Sequence, residues 1–555
     1  MCLPFTNCIM KNKVYAPITI RVFSIMLIFI SALPSFSQGY PPFTVNAYDS
    51  AASAGYYFVN PSIIGARNPF YNPTQMIVDG NGKVIYYKEF KTGYTLGDFK
   101  LQKNGLISYG TNTGYFLVDS TFNIVDSVDV KNGLSQDIHD IQILPNGHIL
   151  LLGTEDVIMD LSSYFLFSGN GSPGKNNATV RSGVVQELDE NKNVVFEWHA
   201  KDYFAFAEVG AEHLRNPNVV DWTHFNSIEL DRDGNILVSS RHFNEVTKID
   251  RLSKAGGVIW RFGGNANQFT FINDSLGFAA QHDVRRIANG NITLAEAGKS
   301  GLPVHPMGVK EYQLDEVNFT AKLIWSHVDT ETNPIRYSLA MGNCQRLDNG
   351  NTLITHGWVE DWNRALEVVD NKGGRVFEMH FTDSMPSYRC FFYKTLPWKI
   401  KQPTISCTRI NGQNYLDAGS GYKNYIWSTG DTTQRVQLSK TGEYSVFVSA
   451  GEGGFVNSET INVTNVSSPC NNLGIATFDA DNPKNIVVYP NPISDRINIF
   501  PNYKNSQSQL YNSIGDLVWS GKDIELENFS QLSAGVYILK LTTSTDLYTT
   551  KIIKQ

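Results

Sequence analysis

Imidazoles recur in this sequence at matching places. Asp221-Trp222-Thr223-His224-Phe225-Asn226-Ser227 opens a strand–turn–strand unit on His224. Gln281-His282-Asp283-Val284-Arg285-Arg286 sets His282 at the foot of a second unit. Asn351-Thr352-Leu353-Ile354-Thr355-His356 places His356 inside a strand of a third. Imidazole is largely neutral near pH 7, so it can attack an electrophile through its lone pair or pass a proton. A single strand histidine is usually a hydrogen-bonded structural residue. Three at equivalent points of a repeat suggest convergence on one axis. His139, in Asp137-Ile138-His139-Asp140, holds a comparable position. Arg241 and His242 are neighbours, and alternation along a strand would let only one of them face the axis. Trp222, Trp358 and Trp362 could stack on an aromatic ligand, although Trp222 is expected to pack between repeats. A metal centre is not expected, because neither His-Glu-x-x-His nor a Cys-x-x-Cys pair is present.

The elements that must carry these side chains are hairpins. From about Gly55 to Leu396 one unit returns, an apolar run broken by Asn-Gly or Asp-Gly: Asn81-Gly82, Asn146-Gly147, Asp233-Gly234, Asn289-Gly290 and Asn349-Gly350. Such dipeptides between alternating runs predict two-residue hairpin turns with both central residues at positive φ. A second hairpin follows most of these and ends in an aromatic, at Trp198, Trp260, Trp325 and Phe377. Two hairpins per period make a four-stranded blade, and the tract holds about six of them. Val45 to Ile64 is expected as a small module ahead of the ring.

Composition agrees. Aromatics make up 12%, charged residues 18%, and 45 of the 555 residues are glycine, a profile of strands and turns. A formal charge of -7 gives no reason to expect nucleic acid as a partner. Lys11, Lys13 and Arg21, the apolar run Val22–Ala32 and Ser35-Phe36-Ser37 predict a signal peptide over residues 1–37, cleaved before Gln38. The run is too short for a permanent membrane span. Cys344, Cys390, Cys407 and Cys470 would remain after cleavage; in an exported chain we pair Cys344 with Cys390 and Cys407 with Cys470, although spacing does not fix connectivity. Residues 403–470 read as an Ig-like β-sandwich anchored by Cys407, Trp427 and Tyr444. The expected fold is therefore all-β: a six-bladed β-propeller over 38–400, then two small β-sandwich domains at 403–470 and 484–555.

Two stretches resemble known families. Ile486-Val487-Val488-Tyr489-Pro490-Asn491-Pro492, Tyr511-Asn512-Ser513-Ile514-Gly515 and Leu532-Ser533-Ala534-Gly535-Val536-Tyr537 resemble the C-terminal sorting domain of the type IX secretion system. That resemblance implies export through this machinery and a secreted or cell-surface location. Asp221 to Ile228, Ser239-Ser240-Arg241-His242, Ile259 to Gly264 and Gln281 to Ile287 resemble the arylsulfotransferase family over roughly residues 130–380. The resemblance implies ping-pong transfer of a sulfuryl group from a phenolic sulfate ester to a phenol through a sulfohistidine, with no nucleotide sulfate and no cofactor. It makes His356 the nucleophile, with His224 and His282 on the sulfuryl oxygens. The family's arginine in a Ser-Arg-x-Val stretch has no counterpart in His305 to Tyr312, and Arg285 or Arg286 could substitute for it. Arg285, and His139 and Arg241 from their places in the repeat, are the candidate substrate-binding residues. The alternative from another class is a secreted propeller that binds a glycan or phenolic without turnover.

Overall fold

The computed structural model describes residues 39–555 except 50–52, 63–70, 165–172, 211–212, 214–215, 217, 254, 299–305, 329–336, 360–363, 383–384, 467–476, 480–486, 501–505, 514, 523 and 544–546. The proposed signal peptide, His305, Trp362 and Cys470 lie outside the described residues.

The repeating turn is built differently from the expected one. In Leu144-Pro145-Asn146-Gly147 the Gly147 N–H donates to the Leu144 carbonyl at 2.9 Å, and only the glycine has positive φ, +82°. The same bond closes Asp231–Gly234, Ile287–Gly290 and Leu347–Gly350. The Asn or Asp before each glycine accepts the N–H two residues on, at His148, Asn235, Asn291 and Asn351. This side-chain bond replaces the positive φ expected of the first turn residue, and glycine alone supplies the left-handed step.

Among the described residues six mainly antiparallel sheets follow one another along residues 43–393. Their first strands are Leu96–Leu101, Ser135–Ile143, Phe225–Leu230, Gln281–Arg286, Asn343–Arg346 and Ser387–Tyr393. Each first strand abuts that of the next sheet, and the sixth returns to the first. Alternating side chains bury both faces of every sheet. One apolar cluster lies between each consecutive pair, including Phe58, Ile77 and Tyr86 of the sixth sheet against Phe99, Ile107 and Tyr109 of the first. The sixth sheet joins the two ends of the repeat tract: Tyr56–Pro61 pairs with Ser387–Tyr393, Val59 opposite Cys390. The expected separate module over 45–64 is therefore not formed. Phe43–Ala47 instead pairs with Arg375–Phe381 as the outer strand of the fifth sheet. Trp222 is fully buried between the second and third sheets against Phe206 and Phe243.

Beyond residue 400 the chain is strand again. Gly454–Asn457 pairs with Val84–Glu89, so the sixth sheet runs on into this segment. The last strands, Gln507–Asn512, Leu517–Gly521, Gly535–Thr542 and Leu547–Lys554, form their own sheet. Cys407 is disulfide-bonded. The expected Cys344–Cys390 bond is absent: both thiols are free and buried. Cys344 faces the core between the fourth and fifth sheets, Cys390 the core between the fifth and sixth. Burial pushes their thiols up to about 12 and about 11, which keeps them inert.

Candidate functional site

The first strands deliver their polar residues to the centre through bulges. Register breaks fall between Gly97 and Lys100, Phe225 and Ser227, and His282 and Arg285. Asp98 and Asp283 within the breaks, and His224 just before its strand, take φ of +49°, +53° and +47°, a conformation that costs an L residue free energy and that surrounding contacts must repay.

Three of the four anticipated histidines meet. The ring centroids of His139 and His224 are 4.9 Å apart, and those of His139 and His282 5.9 Å. Tyr388 completes the group, 6.0 Å from His139 and 5.7 Å from His282, with its hydroxyl donating to the His139 carbonyl. In all three imidazoles Nδ1 is engaged. His139 meets Asp137 at 2.6 Å and His224 meets Asp221 at 2.5 Å. His282 donates to the carbonyl of Gly342 at 2.8 Å. A carbonyl can only accept, so His282 carries its proton on Nδ1 and presents a lone pair at Nε2. Burial, with Arg389, His139 and His224 as positive neighbours, holds His282 well below the ordinary histidine range. Burial alone would raise the Asp221 carboxyl, but the imidazoles of His224, His242 and His139 outweigh it and keep Asp221 ionised.

His356 takes a different partner. Its Nε2 lies 3.0 Å from Glu367, a fully buried carboxylate that also accepts from Arg375 at 2.8 Å. The His356 backbone is nevertheless close to His282, because Gly342 packs on it. A Cβ at Gly342 would stand 2.6 Å from the Thr355 carbonyl oxygen.

Arg241 and His242 do not follow the alternation expected of a strand. They sit in a 3-10 turn, Arg241–Phe243, where successive side chains splay by about a third of a turn. The ring of His242 lies 4.6 Å from that of His224. Arg241 donates to the Leu339 carbonyl at 3.1 Å, and Leu339 N–H donates to the Trp358 carbonyl, two residues past His356. Arg285 is enlisted elsewhere: its guanidinium bonds Asp140 at 2.7 Å, Asp283 at 2.6 Å and Glu229 at 3.2 Å.

Those carboxylates belong to an ion network that sequence reasoning missed. Lys100 lies 2.6 Å from both Asp98 and Asp140. The fully buried Arg389 bonds Asp98 at 2.7 Å and the carbonyl of Asn226. The signal was the repeated His-Asp pair, His139-Asp140 and His282-Asp283, which places a carboxylate one residue below each imidazole. A cavity of 540 Å³ opens at the far end of the same strands, lined among others by Lys100, Gln142, Glu229, Arg285 and Arg286.

A family model described as arylsulfotransferase matches residues 44–389, and one described as the secretion system C-terminal sorting domain matches 487–555. No curated protein matches. Among solved structures, a protein of unknown function from Bacteroides caccae is 13% identical with a TM-score of 0.40, covering 62% of this chain and 100% of its own. A virginiamycin B lyase from Staphylococcus aureus is 10% identical with a TM-score of 0.32, covering 68% and 96%.

Proposed function

Because the chain belongs to the arylsulfotransferase family, we propose that it is an exported enzyme that moves a sulfuryl group from a phenolic sulfate ester to a phenol on a six-bladed propeller. The observation that carries the reading is the difference in Nδ1 partners around one centre. His282 faces a neutral carbonyl and is held neutral, the state of a nucleophile. His139 and His224 face the carboxylates of Asp137 and Asp221 there, the partner that orients an imidazole for proton transfer at its other nitrogen. This geometry favours His282 over His356 as the attacking residue, since the Nε2 of His356 is engaged by Glu367.

In the first half-reaction the His282 Nε2 lone pair attacks sulfur. The bond from sulfur to the aryl oxygen breaks, and His224 passes a proton to the departing phenolate. His282 is left as a sulfohistidine, with its Nδ1–H still on Gly342. In the second half the phenol hydroxyl attacks sulfur, His224 recovers a proton, and the nitrogen–sulfur bond breaks. The flying group carries spread negative charge on its oxygens, as a phosphoryl group does, and is met by N–H donors of His139 and Arg241. Arg285 acts from below by pairing the carboxylates. The sorting domain at 487–555 supports release through the type IX machinery to the cell surface or medium.

The test is turnover of 4-nitrophenyl sulfate with a second phenol. His282→Asn should abolish transfer, while His356→Asn should retain it with reduced kcat. Because the His282 pKa is lowered, its reactive neutral form persists below pH 6.5, so the nucleophile does not limit rate until more acid pH. Full transfer by His282→Asn would overturn the proposal.

A further inference from the structure

The chamber beside His224 holds more ligand atoms than sulfuryl transfer uses. Asp221 ends the short strand Val219–Asp221, which runs parallel to Ala178–Leu188. Its side chain is 45% exposed and that of His224 25%, so the group opens to solvent. His242 enters from the 3-10 turn and donates through Nδ1 to the Asp221 backbone carbonyl at 2.6 Å. That bond fixes the tautomer and leaves Nε2 as a lone-pair nitrogen. One ligand atom from each of Asp221, His224 and His242 lies within 4.8 Å of the other two. His213 stacks face to face on His242 with centroids 4.1 Å apart, which fixes the ring plane.

We propose that Asp221, His224 and His242 bind a divalent transition-metal ion of the zinc class. Two imidazoles and a carboxylate form a borderline donor set; magnesium and calcium take oxygen ligands instead. The ion takes the place of the proton between His224 and Asp221, which leaves to solvent. A metal-bound neutral imidazole is a weaker acid than the imidazolium it replaces, so the ion also slows transfer; this second consequence rests on the function proposed above.

The full chain, cleared of metal with a chelator, is titrated with Co²⁺ followed by its visible bands and with Zn²⁺ followed by calorimetry. One ion should bind per chain at micromolar concentration or below. His242→Gln and Asp221→Asn should each weaken binding at least tenfold, while His282→Gln leaves it unchanged. Thermal melting shows whether each variant is folded, and the Co²⁺ bands of the unaltered chain report imidazole and carboxylate ligation without any substitution. Absence of micromolar binding, or binding indifferent to both substitutions, overturns the site. If binding follows the pattern while Zn²⁺ leaves aryl sulfate turnover untouched, the site stands and the acid role of His224 falls.

Discussion

His139, His224 and His282 share a centre yet are offered different company at Nδ1, and the roles we propose for them rest on that difference. Asp221 is the residue on which the acid role turns. Asp221→Asn keeps the shape but removes the anion beside His224, so protonation of the leaving phenolate should suffer. General acid catalysis contributes about 10²- to 10⁴-fold, so kcat should fall by about that factor for a poor leaving group such as phenol. It should fall far less for 4-nitrophenol, which departs without help. Rates across a series of aryl sulfates check this, and a uniform loss would contradict it. The convergence of His139, His224 and His282 was legible in the sequence because the imidazoles sit at matching points of a repeat. The preference we propose for His282 over His356 was not. It depends on the bulge at Asp283 and on which carbonyl or carboxylate each ring meets, and neither leaves a mark in residue types.

At the scale of elements, glycine does two separate jobs. Gly350, φ +86°, closes a hairpin in open space, where an added Cβ would meet nothing within 4 Å. Gly350→Ala should therefore cost only the left-handed strain, about 1–2 kcal/mol, and leave transfer intact. Gly342, φ +94°, carries the same strain and also packs on the Thr355 carbonyl. Gly342→Ala should cost a similar or greater amount and shift the carbonyl that holds His282, lowering kcat at least tenfold. Melting curves and kinetics of the two variants separate the jobs; equal activity would count against the Gly342 contact. The Asn-Gly hairpins were readable from local turn chemistry, although their turn type was not, since the side-chain bond of Asn146 and its equivalents removes the need for a second positive φ. The closure of the sixth sheet was unreadable for a plainer reason. Val59 pairs with Cys390 across more than three hundred residues, and no local pattern encodes such a partner.

For the whole molecule, the C-terminal segments differ in how they attach. The last sheet buries Val488, Ile497, Leu510, Leu539 and Ile552 in a cluster drawn from residues 488–552. Ending the chain after residue 486 should leave the melting temperature of the remainder and its turnover unchanged. Ending it after Gln402 should not. It uncovers the Val84–Glu89 edge and strips Phe447 and Phe455 from Tyr87, contacts worth about 0.5–1.5 kcal/mol each beyond their buried area. Scanning fluorimetry of the two truncations decides between a detachable and an integral segment. The sequence boundary near 403 marks a change of composition, yet the sheet hydrogen bonds continue across it.

The central claim is that sulfur bonds His282. Incubating the chain with an aryl sulfate and no acceptor, quenching in alkali and mapping peptides by mass spectrometry tests it directly. The account predicts one added sulfuryl group on the peptide carrying His282, discharged when a phenol is supplied. A sulfuryl group on the peptide carrying His356, or on none, would contradict it.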